Sequence, residues 1–226
     1  MIENVIFDVD GVLAETEEVH RRAFNRAFAE FHLPWSWDVA LYRDLLRVTG
    51  GKERIRHFCA MRGQAVDPEL IGELHKRKTE IYTDIVAAGE VELRPGILDF
   101  LEKAQERGLR LAIATTTSPP NVEALMSATL GADWRTIFPV VAAGDMVARK
   151  KPAPDVYLLA LEKLGREAGQ CVAVEDSRNG VQAALAAGLR VIAVRSAYCD
   201  GDDFFGASAQ LADCTELTLD VVDSLT

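Results

Sequence analysis

Residues 5–16 read VIFDVDGVLAET. An apolar run from Val5 to Val9 carries Asp8 inside it and passes directly into Asp10 and Gly11. β-branched and aromatic side chains favour extended backbone, and a short continuous apolar run is the mark of a strand buried on both faces. Two like charges at the end of such a strand repel each other unless a cation or different protonation states compensate. Asp-Gly alone is a common turn dipeptide. A calcium loop counted from Asp8 fails, because Val12 and Leu13 fall where an oxygen ligand and a glycine are needed.

Comparable runs recur at Leu109 to Ala114, Pro139 to Ala143, Cys171 to Val174 and Leu189 to Val194. Helix-period segments lie between them and stop at Gly108, Gly131, Gly165 and Gly188. The alternation predicts an α/β fold: a doubly wound parallel sheet, Rossmann-like, with right-handed crossovers. About a hundred residues separate the first run from the second, where a simple crossover takes a few tens. The gap therefore holds an inserted module. Val19, Ala23, Phe24, Ala27, Phe28 and Phe31 make one apolar helical stripe, and amphipathic stretches follow at about 38–47, 52–61 and 68–87. Pro95 and Gly96 in LRPGI mark the return. The expected organisation is an α/β catalytic core of residues 1–14 and 91–226 carrying a small α-helical cap over 15–90, with linkers near 12–15 and 88–95.

The net charge of −10 disfavours nucleic acid and anionic membranes as partners, while leaving room for a local basic pocket that holds a small anion. Cys59, Cys171, Cys199 and Cys214 form no CxxC pair and read as free thiols. No basic segment followed by an apolar one opens the chain, and no apolar run approaches the ~18 residues of a membrane span. The expected location is the cytoplasm.

In open α/β sheets ligands bind beyond the carboxyl ends of the strands. Collected there are Asp8 and Asp10, the run Thr115-Thr116-Thr117-Ser118, the cations of Arg149-Lys150-Lys151, and Glu175-Asp176-Ser177. Singly, each has an ordinary explanation as a turn former, helix cap or solvated charge. Jointly, they suit a phosphate monoester. Asp8 can attack phosphorus, and Asp10 can protonate the leaving alkoxide and then deprotonate water. A phosphate dianion facing Asp8, Glu175 and Asp176 requires a bridging cation, and Mg²⁺ is a hard ion of the right kind. Thr115 and Lys151 would stabilise the phosphoryl oxygens.

These four motifs, in this order, resemble those of the haloacid-dehalogenase superfamily of phosphatases and mutases. The dehalogenase branch lacks the second aspartate and uses no metal, so Asp10, Glu175 and Asp176 point to phosphoryl transfer. The helical insert is similar to the cap of the β-phosphoglucomutase-like subgroup. Within it, GVLAETEEVHRRAFN, TGGKERI, RPGI, ATTTSPPNVEAL and KKPAPD resemble the CbbY-type phosphatases that accompany Rubisco and clear xylulose 1,5-bisphosphate. The resemblance implies Asp8 as nucleophile, Asp10 as acid/base, and Thr115 and Lys151 as holders of the transferring phosphate. Mg²⁺ would be bound by Asp8, the Asp10 carbonyl, Glu175 and Asp176. Glu17, the segment Gly50, Gly51, Lys52, Glu53 and Arg54, the segment from His75 to Lys78, and Thr116 and Thr117 would hold the rest of a small sugar bisphosphate. The motif puts the functional lysine immediately before proline, hence Lys151 over Lys150, with the Lys151–Pro152 bond cis. A monomer is expected.

Lys78 falls inside the apolar stripe of Leu70, Leu74, Ile81 and Ile85, so it either snorkels or points at an anion. The resemblance favours the anion, with Lys52 and Arg54 as companions at a second phosphate. His20 reads as an ordinary polar position opposite the phenylalanine stripe, able to face the rim on cap closure. Glu15 and Thr16 lie beside the site without an assigned role. The rival readings are a phosphomutase with the same phosphorylated aspartate, and a non-catalytic phospho-accepting receiver domain. In a receiver the acceptor follows the third strand, not the first.

Overall fold

The computed structural model describes residues 1–225. Six parallel strands, β1 (Asn4–Phe7), β2 (Arg110–Ala114), β3 (Val140–Ala142), β4 (Cys171–Glu175), β5 (Arg190–Val194) and β6 (Ala209–Leu211), form one sheet in the order β3-β2-β1-β4-β5-β6. β1 lies in the middle, with Asn4 opposite Arg110 on one side and Cys171 on the other. The strand order reverses there, so Asp8 and Asp10 leave the sheet at its topological switch point. The apolar run alternates between two cores: Val5 and Phe7 face one cluster and Ile6 the other. Phe7 packs edge-on against Phe100 and Phe138, each 5.9 Å between centroids. β6 carries no apolar run, and it exists because Ala209 to Leu211 pair with Ile192 to Val194.

Four helices, α1 (Glu17–Glu30), α2 (Val39–Leu45), α3 (Gly51–Met61) and α4 (Pro68–Ala87), occupy the interval after β1. The remaining helices are α5 (Ile97–Glu106), α6 (Pro119–Leu130), α7 (Trp134–Ile137), α8 (Asp155–Leu164), α9 (Arg178–Ala186) and α10 (Leu219–Asp223). The α2 start is capped by the Asp38 carboxylate accepting from Leu41 N–H, and the α4 start by Asp67 with Pro68 in the first turn. The α1 stripe serves two cores. Val19, Ala23 and Ala27 join the cluster that backs the sheet, whereas Phe24 and Phe28 join Trp35, Trp37, Tyr42 and Phe58 in a separate aromatic core. Phe31 ends the helix and is only partly buried.

The two linkers run side by side. Ala14 bridges Leu93, and Arg94 N–H donates to Leu13 C=O at 2.9 Å. The Arg94 guanidinium binds the carbonyls of Gly11 and Arg195. Farther out, Asn179 donates to Arg47 C=O and Thr49 Oγ1, both at 3.0 Å, so the helical insert is seated on the rim of the sheet.

Candidate active site

At the carboxyl end of β1 the Lys151 ammonium lies 2.7 Å from Asp8, 2.6 Å from Glu175 Oε1 and 3.0 Å from Ala114 C=O. Lys150, its neighbour, donates instead to Gly144 and Val147 carbonyls, and the Lys151–Pro152 bond is cis. Tyr157 also donates to Glu175 Oε1, and Ser196 Oγ donates to Asp176 Oδ2 at 2.6 Å. Oxygens of Asp8, Glu175 and Asp176 lie within 4.8 Å of one another, all three residues buried.

Three carboxylates are buried together, and one ammonium pairs with two of them, Asp8 and Glu175. Burial raises the Asp8 pKa to about 7, with Glu175 and Asp10 adding to the effect and Lys151 opposing it. Burial, Asp8 and Glu175 lift Asp176 well above the carboxylate range. Burial pulls Lys151 down, but Asp8 and Glu175 outweigh it and hold the ammonium above its ordinary value. Glu175 Oε2 is buried without a hydrogen-bond partner. Hard oxygen donors, an unpartnered buried oxygen and excess negative charge fit a small divalent cation.

Asp10 belongs to a second network. Its Oδ1 accepts from Thr16 Oγ1 and lies 3.0 Å from His20 Nε2. His20 Nδ1 lies 2.7 Å from Lys78 Nζ. An ammonium can only donate, so Nδ1 accepts and Nε2 carries the hydrogen that faces Asp10. The His20 ring stacks on Tyr82 at 4.2 Å, and the Lys78 ammonium lies over the rings of Phe24 and Tyr82. Burial and Lys78 hold His20 below its ordinary pKa, and burial lowers Lys78 to about 7. Burial pushes Asp10 up, yet His20, Thr16 and Lys78 more than offset it and bring the carboxyl to about 2. Asp10 therefore stands in its base form.

One sequence expectation is revised here and one open choice is narrowed. His20, read as an ordinary polar position, is buried at the centre of this network. Of the two readings left for Lys78, snorkelling is set aside: the residue is 4% exposed, and its ammonium is engaged with His20. Thr16, at the start of α1, turns its hydroxyl to Asp10 and makes no side-chain cap.

A cavity of about 280 Å³ extends from Asp10, Glu17 and His20 past Gly50, Gly51, Lys52, Glu53, Arg54, His75 and Lys78 to Thr116, Thr117, Ser118, Asn121 and Lys150. Glu17 accepts from the Tyr42 hydroxyl at 2.7 Å, which accepts from Arg54 at 2.9 Å. Gly50 has φ +97°, which lets the chain turn sharply into α3. The first amides of that helix lack intrahelical partners, and with Lys52 beside them they favour an anion. Burial, followed by Lys78 and Lys52, drives His75 to about 3, so its ring is neutral. In a chain of net charge −10 this cavity gathers the cations Lys52, Arg54, Lys78 and Lys150 among the carboxylates Asp10, Glu17, Glu53 and Asp145. Thr115 Oγ1 accepts from Thr117 N–H at 3.2 Å, and Asn121 donates to Thr117 Oγ1 at 3.0 Å. Ser118 Oγ and Asn121 Oδ1 are buried without partners. A larger cavity, about 360 Å³ between α6, α7 and β3, has Glu123 as its sole carboxylate.

A family profile described as haloacid dehalogenase-like hydrolase matches residues 2–188. The chain belongs to this family of hydrolases and is an enzyme. It is 52% identical over 219 residues to the CbbY protein of Cereibacter sphaeroides, covering 96% of this chain and 94% of that one. The crystal structure of CbbY from Rhodobacter sphaeroides in complex with phosphate superposes with a TM-score of 0.93 at 52% identity, covering 99% of this chain and all of that one. A D10N variant of CbbY from the same organism, in complex with xylulose 1,5-bisphosphate, gives a TM-score of 0.90 at 51% identity over 96% of each chain.

Proposed function

We propose that the enzyme is a Mg²⁺-dependent sugar-bisphosphate phosphatase of the cytoplasm, with xylulose 1,5-bisphosphate as substrate. One observation carries this reading: a single cavity is lined by Asp10, beside the Asp8 cluster in sequence, and by Lys52, Arg54 and Lys150, so one small molecule can reach the acid/base candidate and a set of cations together. The likeness to CbbY solved with that bisphosphate supports the choice of sugar, and four unpaired thiols suit a reducing compartment. The helices over 15–90 act as the cap that selects the substrate.

Asp8 attacks phosphorus, the bond to the ester oxygen breaks, and the departing alkoxide takes a proton from Asp10. Water then attacks the phosphorylated Asp8 while Asp10 removes its proton, releasing phosphate and restoring the carboxylate. Since Asp10 rests ionised, it must gain a proton before the first step, and the approach of a phosphate dianion raises its affinity for one. Thr115 and Lys151 hold the phosphoryl oxygens. Mg²⁺ would be held by Asp8, the Asp10 carbonyl, Glu175 and Asp176, and when bound supplies the positive charge that lets Asp8 stay ionised beside a phosphate. Glu17 takes sugar hydroxyls. Lys52 and Arg54 hold the distal phosphate, with Lys78 serving both the cavity and His20.

The test is phosphate release from xylulose 1,5-bisphosphate, ribulose 1,5-bisphosphate, fructose 1,6-bisphosphate and glucose 1-phosphate. A low rank for xylulose 1,5-bisphosphate overturns the substrate, and isomer formation without phosphate release turns the reading to a mutase.

A further inference from the structure

The segment after β5 touches both halves of the site within four residues. Ser196, 5% exposed, donates to Asp176 Oδ2 at 2.6 Å. The next residue, Ala197, donates its N–H to Glu15 on the first linker at 3.1 Å, and its carbonyl accepts from Arg43 of α2 at 3.2 Å. Tyr198 donates to Glu18 of α1 at 2.5 Å, and its ring meets Tyr42 edge-on at 5.8 Å. Tyr42 is the residue that ties Glu17 to Arg54 across the cavity. On the inner side, Arg94 fixes the Arg195 carbonyl at 2.6 Å. A short strap anchored in this way cannot follow the helical insert without moving the serine that orients Asp176.

We propose that Tyr198 and Ser196 are positioning residues that couple the seat of the cap to the Asp176 carboxylate, so that cap closure and divalent-cation affinity reinforce each other. The inference rests on the metal reading above. Coupling between two sites is reciprocal: a seated cap tightens the cation, and a bound cation favours the seated cap. The strap's hydrogen bond into the carboxylate cluster is the one from Ser196 to Asp176, whereas Tyr198 reaches the cavity side through the Tyr42 ring.

The experiment is Mn²⁺ binding, followed by electron paramagnetic resonance and calorimetry without substrate, for the parent, Tyr198→Phe, Tyr198→Ala, Ser196→Ala and the double variant Ser196→Ala/Tyr198→Ala. Tyr198→Phe keeps the ring and deletes the hydroxyl that bonds Glu18 and lies beside Arg21, which keeps the test valid if Tyr198→Ala is poorly folded. Expected is a loss of Mn²⁺ affinity of about 10-fold for Ser196→Ala, at the low end for a group that orients a ligand. A smaller loss of a few-fold is expected for Tyr198→Phe, and no further loss in the double variant beyond Ser196→Ala. That non-additivity is the mark of one residue acting through another. Unchanged affinity in both Tyr198 variants, or losses that multiply, overturns the coupling. Failure of the parent itself to bind Mn²⁺ overturns the metal reading instead.

Discussion

Gly11 stands where the backbone leaves β1, and replacing it by alanine tests how the carboxylate cluster is held. Its φ of +80° is left-handed, a conformation that costs a residue with a Cβ roughly 1–2 kcal/mol. An added Cβ would lie 1.9 Å from Asp176 Oδ2 and 3.2 Å from Ser196 Cβ. Asp176 must therefore rotate and give up its bond to Ser196, a further contribution of about 1 kcal/mol. The sum, about 2–3 kcal/mol, corresponds to a fall in Tm of roughly 4–12 °C for a chain of this size. Divalent-cation affinity should drop by roughly 10–100-fold, because the displaced carboxylate is one of the proposed ligands. Asparagine separates the two causes: it tolerates left-handed backbone but still carries the Cβ. Gly11→Asn should recover part of the lost Tm and none of the lost affinity. Scanning calorimetry and Mn²⁺ titration of both variants decide it. A Gly11→Ala protein that melts within about 2 °C of the parent and binds Mn²⁺ unchanged would refute the reasoning.

Three further outcomes concern Asp8 and Lys78. Mn²⁺ affinity of the parent should rise with pH, because protons must leave Asp8, held at about 7, and Asp176, held well above the carboxylate range, before both can bind; a flat profile between pH 5 and about 8 would contradict this. Lys78→Met should lower turnover of the bisphosphate more than of a monophosphate analogue, and equal losses would remove Lys78 from the distal phosphate. The same variant should be more stable than the parent below pH 7. Lys78 is depressed to about 7 in the fold, so the folded state binds fewer protons than the unfolded chain up to the ordinary lysine value of 10.5. The parent therefore gains stability as pH rises through that window, and the gap should close towards pH 10.

Much of the fold is legible in the sequence because its signals are local. Val5 to Val9 identifies the central strand, and the helices of the insert begin and end within a few residues of their apolar stripes. β6 escapes such reading, since Ala209-Gln210-Leu211 has no pattern of its own and is extended only because β5 offers it an edge. In the site, the residues with chemistry in their side chains stand out at strand ends, whereas those that act through partners do not. His20 carries no local mark of burial. What fixes its role is Lys78, arriving from α4, and Tyr82, on which it stacks. Tyr42, Tyr157 and Ser196 likewise aim hydroxyls at carboxylates distant in sequence. Thr16 was the accessible case, six residues from Asp10, but a threonine opening a helix reads first as a cap.

The placement of β1 between β2 and β4 bears on how the enzyme comes into being. Asn4 finds its first strand partner at Arg110 and its second at Cys171. Asp8 thus follows a strand made near the start of the chain, and both strands that flank it must close long loops before they can pair. Lys151 and Glu175, which complete the cluster around Asp8, arrive with the same late segment. The buried members of the aromatic core of the insert all come from residues 24–74, with Tyr198 packed against them, so it closes shorter loops than the cluster around Asp8. The insert thus rests mainly on near neighbours in the chain, whereas the carboxylate cluster joins residues 8, 175 and 176 from its two ends.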